Sequence, residues 1–281
     1  MSIVKMKQLL KSAQKGQYGI GAFSISNMET IIGAVRAAEE LKSPIILQIA
    51  ESRLKHSPLY LIGPVMIEAA KKSSVPIAVH LDHGESIDTI KEALDLGFTS
   101  VMYDGSHFNL SKNIEDTKEV VSLAKEYGAS VEGEVGKVGK KEDGLGDDTI
   151  SITTVEDAEK FYKETNVDAL AIAIGNVHGM YVGKPNLDIK RLIEVNSNIE
   201  VPLVLHGGSG ITKEEFKNCI KNGITKINVA TATFNSVIDK VNELFKTSNS
   251  VDYFTYHDVV INAAYDNVKK HIDIFGSSNK A

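Results

Sequence analysis

Two imidazoles and a carboxylate stand within four residues at the end of an apolar run: "HLDHG" at 80–84, after "VPIAV". A turn would need only the glycine, and titratable groups are costly to bury without partners. His80, Asp82 and His83 therefore need a chemical reason to be there. Two further histidines stand in similar settings, His178 in "GNVHG" and His206 in "LVLHGGSG". A single histidine at the end of an apolar run is more often structural than functional. Three imidazoles gathered in one place, with no fourth protein ligand, are the donor set of a catalytic zinc site with one open position. Borderline-soft imidazole favours zinc over magnesium, and a facial carboxylate of the non-haem iron kind is not required. The spacing is unlike a compact HExxH motif, so the inference depends on a fold that gathers the three.

Other polar residues also close apolar runs: Asp104, Glu132, Glu134, Asn228 and Thr231. Two glycine-rich stretches, "GNVHGMYVG" and "HGGSGIT", would let backbone N–H groups approach an oxyanion, with hydroxyls from Ser209 and Thr231 as added donors. "GGSG" is also a common turn; beside a metal site it favours a phosphorylated substrate. The stretch "GKVGKKEDGLGDDTIS" (136–151) is Gly-rich, charged and without helical period. It reads equally as a lid or binding loop and as a plain surface excursion.

The elements that must position these groups alternate along the chain. Ile- and Val-rich runs occur at 18–25, 44–50, 76–82, 99–105, 129–135, 168–175, 202–208 and 225–231. Continuous apolar runs suit strands buried on both faces, as in parallel sheets. Helical periodicity lies between them, over Met28–Leu41, Leu59–Lys72, Ser86–Leu96, Asn113–Tyr127, Val155–Thr165, Leu187–Val195 and Lys213–Asn222. Eight strands alternating with helices predict an α/β fold, a (β/α)8 TIM barrel, with residues 1–281 as a single domain. From about Val251 the chain reads as an additional C-terminal helical segment. A doubly wound open sheet is the rival, but "GIGAFS" does not continue into a phosphate-binding glycine fingerprint. In a barrel, strand C-termini converge on one axis, which places the three histidines together.

Composition sets the outer bounds. The chain has 281 residues, 42% hydrophobic and 24% charged, an ordinary globular balance. A net charge of −6 argues against a general nucleic-acid binder. Cys219 is the sole cysteine, which excludes an intramolecular disulfide and fits a reducing compartment. The first residues lack a signal-peptide core, and no segment approaches the ~20 apolar residues of a membrane span. A cytoplasmic protein is expected, with no membrane and no nucleic acid among its partners. The expected partner is a phosphorylated small molecule, on the strength of the glycine-rich stretches beside the histidines.

Taken in order and spacing, "HLDHG", "VMYDGSH", "VEGEVGKVGKKEDG", "GNVHGMY", "LVLHGGSGI" and "KINVAT" resemble the zinc-dependent class II aldolases that cleave ketose phosphates. The likeness covers essentially the whole chain. It implies a barrel in which one zinc holds dihydroxyacetone phosphate as an enediolate. His83, His178 and His206 match the zinc ligands. Asp82 matches the acid/base at the aldehyde oxygen and C4 hydroxyl, and Glu142 the carboxylate that shuttles the C3 proton. Gly179, Gly207, Gly208, Ser209, Asn228, Val229, Ala230 and Thr231 match the segments that hold the ketone-side phosphate. Backbone around Gly179 and Gly207 also matches a monovalent-cation site for Na+ or K+ in relatives. His80 is read as structural.

The aldehyde half departs from the pattern. Ser24 stands where many bisphosphate aldolases have Asn, and Ala50 where Ser is frequent. Phe254 aligns with an Arg that helps to hold the second phosphate. Lys141 replaces an acidic residue that some relatives use for an extra metal, which weighs against an accessory zinc at Asp104 and Glu134. Arg53, in "ESRLKH", is placed to meet a carboxylate or phosphate at the aldehyde end, or is a surface residue. The default substrate is fructose or tagatose 1,6-bisphosphate; "EVGKVGKKEDGL", "YDGSH" and "SRL" also resemble the branch that cleaves 6-phospho-5-dehydro-2-deoxygluconate. Outside the family, the alternatives are a zinc hydrolase, a Schiff-base aldolase using Lys226, or a non-catalytic sugar-phosphate-binding protein.

Overall fold

Our computed structural model describes residues 2–139, 151–179, 181, 183, 185–248 and 250–281. Among them, eight parallel strands close into a barrel in chain order, with β8 pairing back to β1. The strands are β1 (Ile20–Ser24), β2 (Ile45–Ala50), β3 (Ile77–Gly84), β4 (Ser100–Tyr103), β5 (Ser130–Val135), β6 (Ala169–Ile172), β7 (Leu203–Leu205) and β8 (Ile224–Val229). Most fall within the predicted runs; β3 runs two residues past its own and β8 starts one residue early. Several others end early, so Asp104 and His206 sit just beyond their strands.

Among the described residues, ten α-helices surround the barrel. They are α1 (Met6–Gly16), α2 (Met28–Glu40), α3 (Leu59–Lys72), α4 (Ile87–Leu96), α5 (Leu110–Tyr127), α6 (Val155–Thr165), α7 (Ile189–Asn198), α8 (Lys213–Lys221), α9 (Thr231–Thr247) and α10 (Tyr253–Phe275). Local chemistry fixes several of their starts. Asn27 with Thr30, and Thr212 with Glu215, form reciprocal capping boxes for α2 and α8. Helices α1 and α9 lie outside the predicted segments. The second has a consequence for the site: β8 ends at Val229, so Thr231 opens a helix and does not close the strand. The predicted C-terminal helical segment is α10. It packs on α2 so closely that a Cβ at Gly33 would lie 2.6 Å from the Ile261 carbonyl oxygen.

Two cores hold the barrel. The larger fills the space between strands and helices, with Leu47, Val79, Val101, Leu170 and Ile227 among its buried residues. The smaller joins α1 to the lower barrel interior. Ala22, Ala78, Ala169 and Ala171 leave room there for Met6 and Leu10, both fully buried. Burying each of those side chains contributes roughly 1.5–3 kcal/mol. Above this apolar floor the interior turns polar, with Gln48, His80, Ser100, Glu132, Lys226 and His206 all fully buried. That change of polarity sets the depth at which the site begins.

Candidate active site

Strand alternation puts His80 and Asp82 on the same face of β3 and would point His83 away from them. The chain breaks that alternation. The β3–β4 register shifts between Leu81 and Gly84, and His83 adopts φ +44°. This left-handed conformation costs a non-glycine residue roughly 1–2 kcal/mol. It turns the His83 ring toward the same cavity as Asp82.

His83, His178 and His206, from the ends of three strands, bring one ring nitrogen each within 4.8 Å of one another. His83 Nε2 and His206 Nδ1 are 2.9 Å apart. The far nitrogens are held by buried carboxylates: His83 Nδ1 donates to Asp104 at 2.7 Å and His206 Nε2 to Glu132 at 2.8 Å. These partners fix both tautomers, so that the nitrogens facing each other carry the lone pairs a metal needs. Burial opposes a charge on His83, but Asp82, Asp104 and Glu134 outweigh it and raise its pKa to about 10. His206 moves the opposite way, lowered by burial and then by the neighbouring His83. Burial and then the charge of Asp104 push the Glu134 carboxyl up to about 8. Glu134 Oε2, buried and without a hydrogen-bond partner, lies 3.5 Å from His206 Nδ1. A proton crowded among these groups is what a divalent ion would displace, and the donors fit zinc. His83, Asp104 and Glu134 also come within 4.8 Å, closer than the sequence implied for an accessory metal.

Asp82 is held on both carboxylate oxygens. Asn228 Nδ2 donates to Oδ1 and Gln48 Nε2 to Oδ2, each at 3.0 Å. Gln48 also donates to Ser24 Oγ at 3.1 Å. His80 Nδ1 and Ser100 Oγ are hydrogen-bonded at 3.0 Å. Lys226 is buried beneath the cavity, 2.9 Å from Glu132, and does not line it. That placement counts against a Schiff-base nucleophile, which must reach the substrate.

A cavity of about 220 Å³ opens over these groups. Gly179, Gly207, Gly208, Ser209, Asn228 and Ala230 line one side, and Ala50, Ser52 and Arg53 the other. Gly207 is required by close approach: at φ +65° its Cβ would lie 2.0 Å from the Val177 carbonyl oxygen. Helix α9 begins beside the cavity, where Ser209 Oγ accepts from the Ala232 N–H at 2.9 Å. The Val229 side chain belongs to the outer core, so only its backbone is available to a ligand. Glu142 lies outside the described residues, as does most of 136–151.

Sequence reasoning passes over three residues. Gln48 interrupts the apolar run "PIILQIA", the signal of a polar side chain facing a barrel interior. Tyr181 accepts from Val177 N–H at 3.2 Å and donates to the Gly207 carbonyl at 3.1 Å, tying together the loops that carry His178 and His206. Glu51 accepts from the backbone N–H groups of Glu85 and Ser86 at 2.6 and 3.2 Å. It fastens the Arg53-bearing 3-10 turn to the loop after β3.

A closed parallel barrel that gathers three histidines able to hold a metal ion at the mouth of one cavity has the architecture of a metal-dependent barrel enzyme. The chain belongs to the class II fructose-bisphosphate aldolase family, whose sequence model, described as "Fructose-bisphosphate aldolase class-II", matches residues 4–280. It is 39% identical to the 6-phospho-5-dehydro-2-deoxy-D-gluconate aldolase of Bacillus licheniformis, over 100% of this chain and 97% of that protein. It is 38% identical to the sulfofructosephosphate aldolase of Alkalicoccus urumqiensis, over 100% and 99%. Among solved structures, the YdjI aldolase of Escherichia coli K12 superposes with a TM-score of 0.90 at 31% identity, covering 99% of each chain.

Proposed function

We propose that the protein is a zinc-dependent aldolase that reversibly cleaves a phosphorylated ketose to dihydroxyacetone phosphate and an aldehyde. One observation carries this reading: the doubly clamped carboxylate of Asp82 shares a strand end, and a cavity, with the three-imidazole centre. Zinc held by His83, His178 and His206 would supply the Lewis acidity that makes a carbanion beside a ketone attainable near neutral pH. Asp82 takes the proton of the C4 hydroxyl in cleavage and returns it to the aldehyde oxygen in condensation. Glu142 moves the proton at C3, because two transfers at different carbons need two separately placed carboxylates. Gly179, Gly207, Gly208, Ser209 and the backbone from Asn228 to Thr231 hold the ketone-side phosphate. The start of α9 supports an anion there, since backbone N–H groups at a helix start and the helix dipole favour negative charge. A monovalent cation, Na+ or K+, against the backbone of Gly179 and Gly207 belongs to the same reading, as do a cytoplasmic setting and a homodimer or homotetramer.

The distal half of the cavity supports a substrate with a single phosphate. Ala50 offers no side-chain donor, and Phe254 is 75% exposed and does not line the cavity. Arg53 stands at that end, suited to a carboxylate. 6-Phospho-5-dehydro-2-deoxygluconate has that shape; fructose and tagatose 1,6-bisphosphate are the second reading, favoured by the family's name. Release of dihydroxyacetone phosphate from a panel of these ketoses, with and without chelator, tests both. Absence of release from every member by zinc-loaded enzyme overturns the reading.

A further inference from the structure

Lys226 is the one fully buried lysine among the described residues, and its partners join the two halves of the site. Its ammonium lies 2.9 Å from Glu132 Oε2 and 3.2 Å from Oε1, the oxygen that also takes the His206 Nε2 proton. On its other side it donates to Asn228 Oδ1 at 2.7 Å, the shortest of these three contacts. Asn228 then donates through Nδ2 to Asp82.

An ammonium can only donate, so the end of the Asn228 amide facing it must be the oxygen. The NH2 end is thereby aimed at Asp82. Without that lock the amide plane is held by Asp82 alone, on a side chain that also borders the cavity. The common family reading places Asn228 at the substrate; the contacts here give it a second duty and a residue that enforces it. We propose that Lys226 is a positioning residue for Asp82, acting through the amide of Asn228, with Glu132 as the anchor that keeps its ammonium in the barrel interior.

This rests on the assignment of Asp82 as the proton carrier at C4. A purely structural lysine would need only to balance the charge of Glu132, and the two cases separate when both charges are removed together. A lone Lys226→Met leaves Glu132 without its counter-ion and risks misfolding. The Lys226→Met/Glu132→Gln pair avoids this, because the substituted amide oxygen can still accept from His206. Two measurements on the double variant decide. Its crystal structure, zinc-free and zinc-loaded, should show the Asn228 amide rotated away from Asp82, with the thermal midpoint close to that of the parent. The ratio of kcat for cleavage to the rate of C3 proton exchange, both per bound zinc, should fall between 10- and 100-fold, roughly the range for a misplaced catalytic group, because any loss through the Glu132–His206 contact weakens both steps alike. An unmoved Asn228–Asp82 pair with that ratio within about twofold of the parent's overturns the proposal and reduces Lys226 to a counter-charge. If the parent protein releases no dihydroxyacetone phosphate at all, the functional reading fails, and the crystal structure alone still decides whether Lys226 orients Asn228.

Discussion

Nε2 of His83 and Nδ1 of His206 face one another across 2.9 Å, each ring backed on its far side by a buried carboxylate. Two nitrogens at that distance need a proton or a cation between them. With the His83 pKa at about 10, the metal-free site holds the proton at neutral pH. Zinc binding must therefore expel it, and affinity should rise about tenfold per pH unit between pH 6 and 8. Competition titrations against a chromophoric chelator read this directly. A flat affinity over that range, or full turnover by metal-free protein, contradicts the assignment of His83, His178 and His206.

Asp82→Ala should cut C–C cleavage by on the order of 10²–10⁴-fold, the usual cost of a lost general acid/base. C3 proton exchange should survive, since that step is the one proposed for Glu142. The variant also leaves the Gln48 and Asn228 amides without their acceptor, at about 1–3 kcal/mol for each buried donor. Isotope exchange into dihydroxyacetone phosphate, run beside a cleavage assay, separates the two steps. Exchange lost with cleavage kept would mean that the two carboxylates have exchanged roles.

Arg53→Ala should lower kcat/KM for a ketose ending in carboxylate by roughly 10–100-fold, the range of a charge-assisted contact. A substrate with a neutral distal end should change less than about threefold. Equal losses on both would assign Arg53 to the architecture of the cavity mouth. Preference for a bisphosphate above ~100-fold, about 2.7 kcal/mol, would reveal a distal phosphate donor elsewhere.

Acid should weaken the fold through His271. This side chain of α10 is 5% exposed, ringed by Phe23, Phe216 and Phe275. Burial brings its pKa down to about 4. Between the ordinary value near 6.5 and that value, the unfolded chain binds a proton that the folded chain refuses. Stability is therefore complete above roughly pH 6.5 and declines as pH falls toward 4, by about 3 kcal/mol for this group. Urea midpoints at about pH 7.5, 5.5 and 4.5 for the parent and His271→Leu should diverge from their neutral-pH relation, the parent losing ground as pH falls. Parallel curves would assign the acid sensitivity to other groups.

The strands are legible because a parallel barrel buries them on both faces, which writes continuous runs such as "PIILQIA" and "DALAIAIG". Helix α1 is equally legible in its spacing of Met6, Leu9, Leu10 and Ala13, which are its buried residues. Weighing the chain start only against a leader peptide hides it. Helix α9 is legible too, in Phe234, Val237, Ile238, Val241, Leu244 and Phe245 at helical spacing, although only Thr233 is buried along it; Val229 and Thr231, which extend the look of a strand, mask its start. In the site, the histidines announce themselves through their neighbours. The support from Gln48, Asn228 and Lys226 depends on which strands stand side by side around the closed barrel, and no single segment records that. The φ of His83 lies further still from view, since it arises from a register shift between two strands.

That positive φ acts as a double filter on position 83. The left-handed region admits Gly, Asn, Asp and His far more readily than other residues. Zinc admits His, Asp, Glu and Cys. Only His and Asp pass both, so the backbone itself narrows the routes by which this centre could drift toward another metal. His83→Asp is the one single-residue exchange that keeps both the turn and a hard ligand, while His83→Cys would have to distort the strand end before offering its sulfur. An engineer seeking a thiolate-bound metal here would do better to start from His178 or His206.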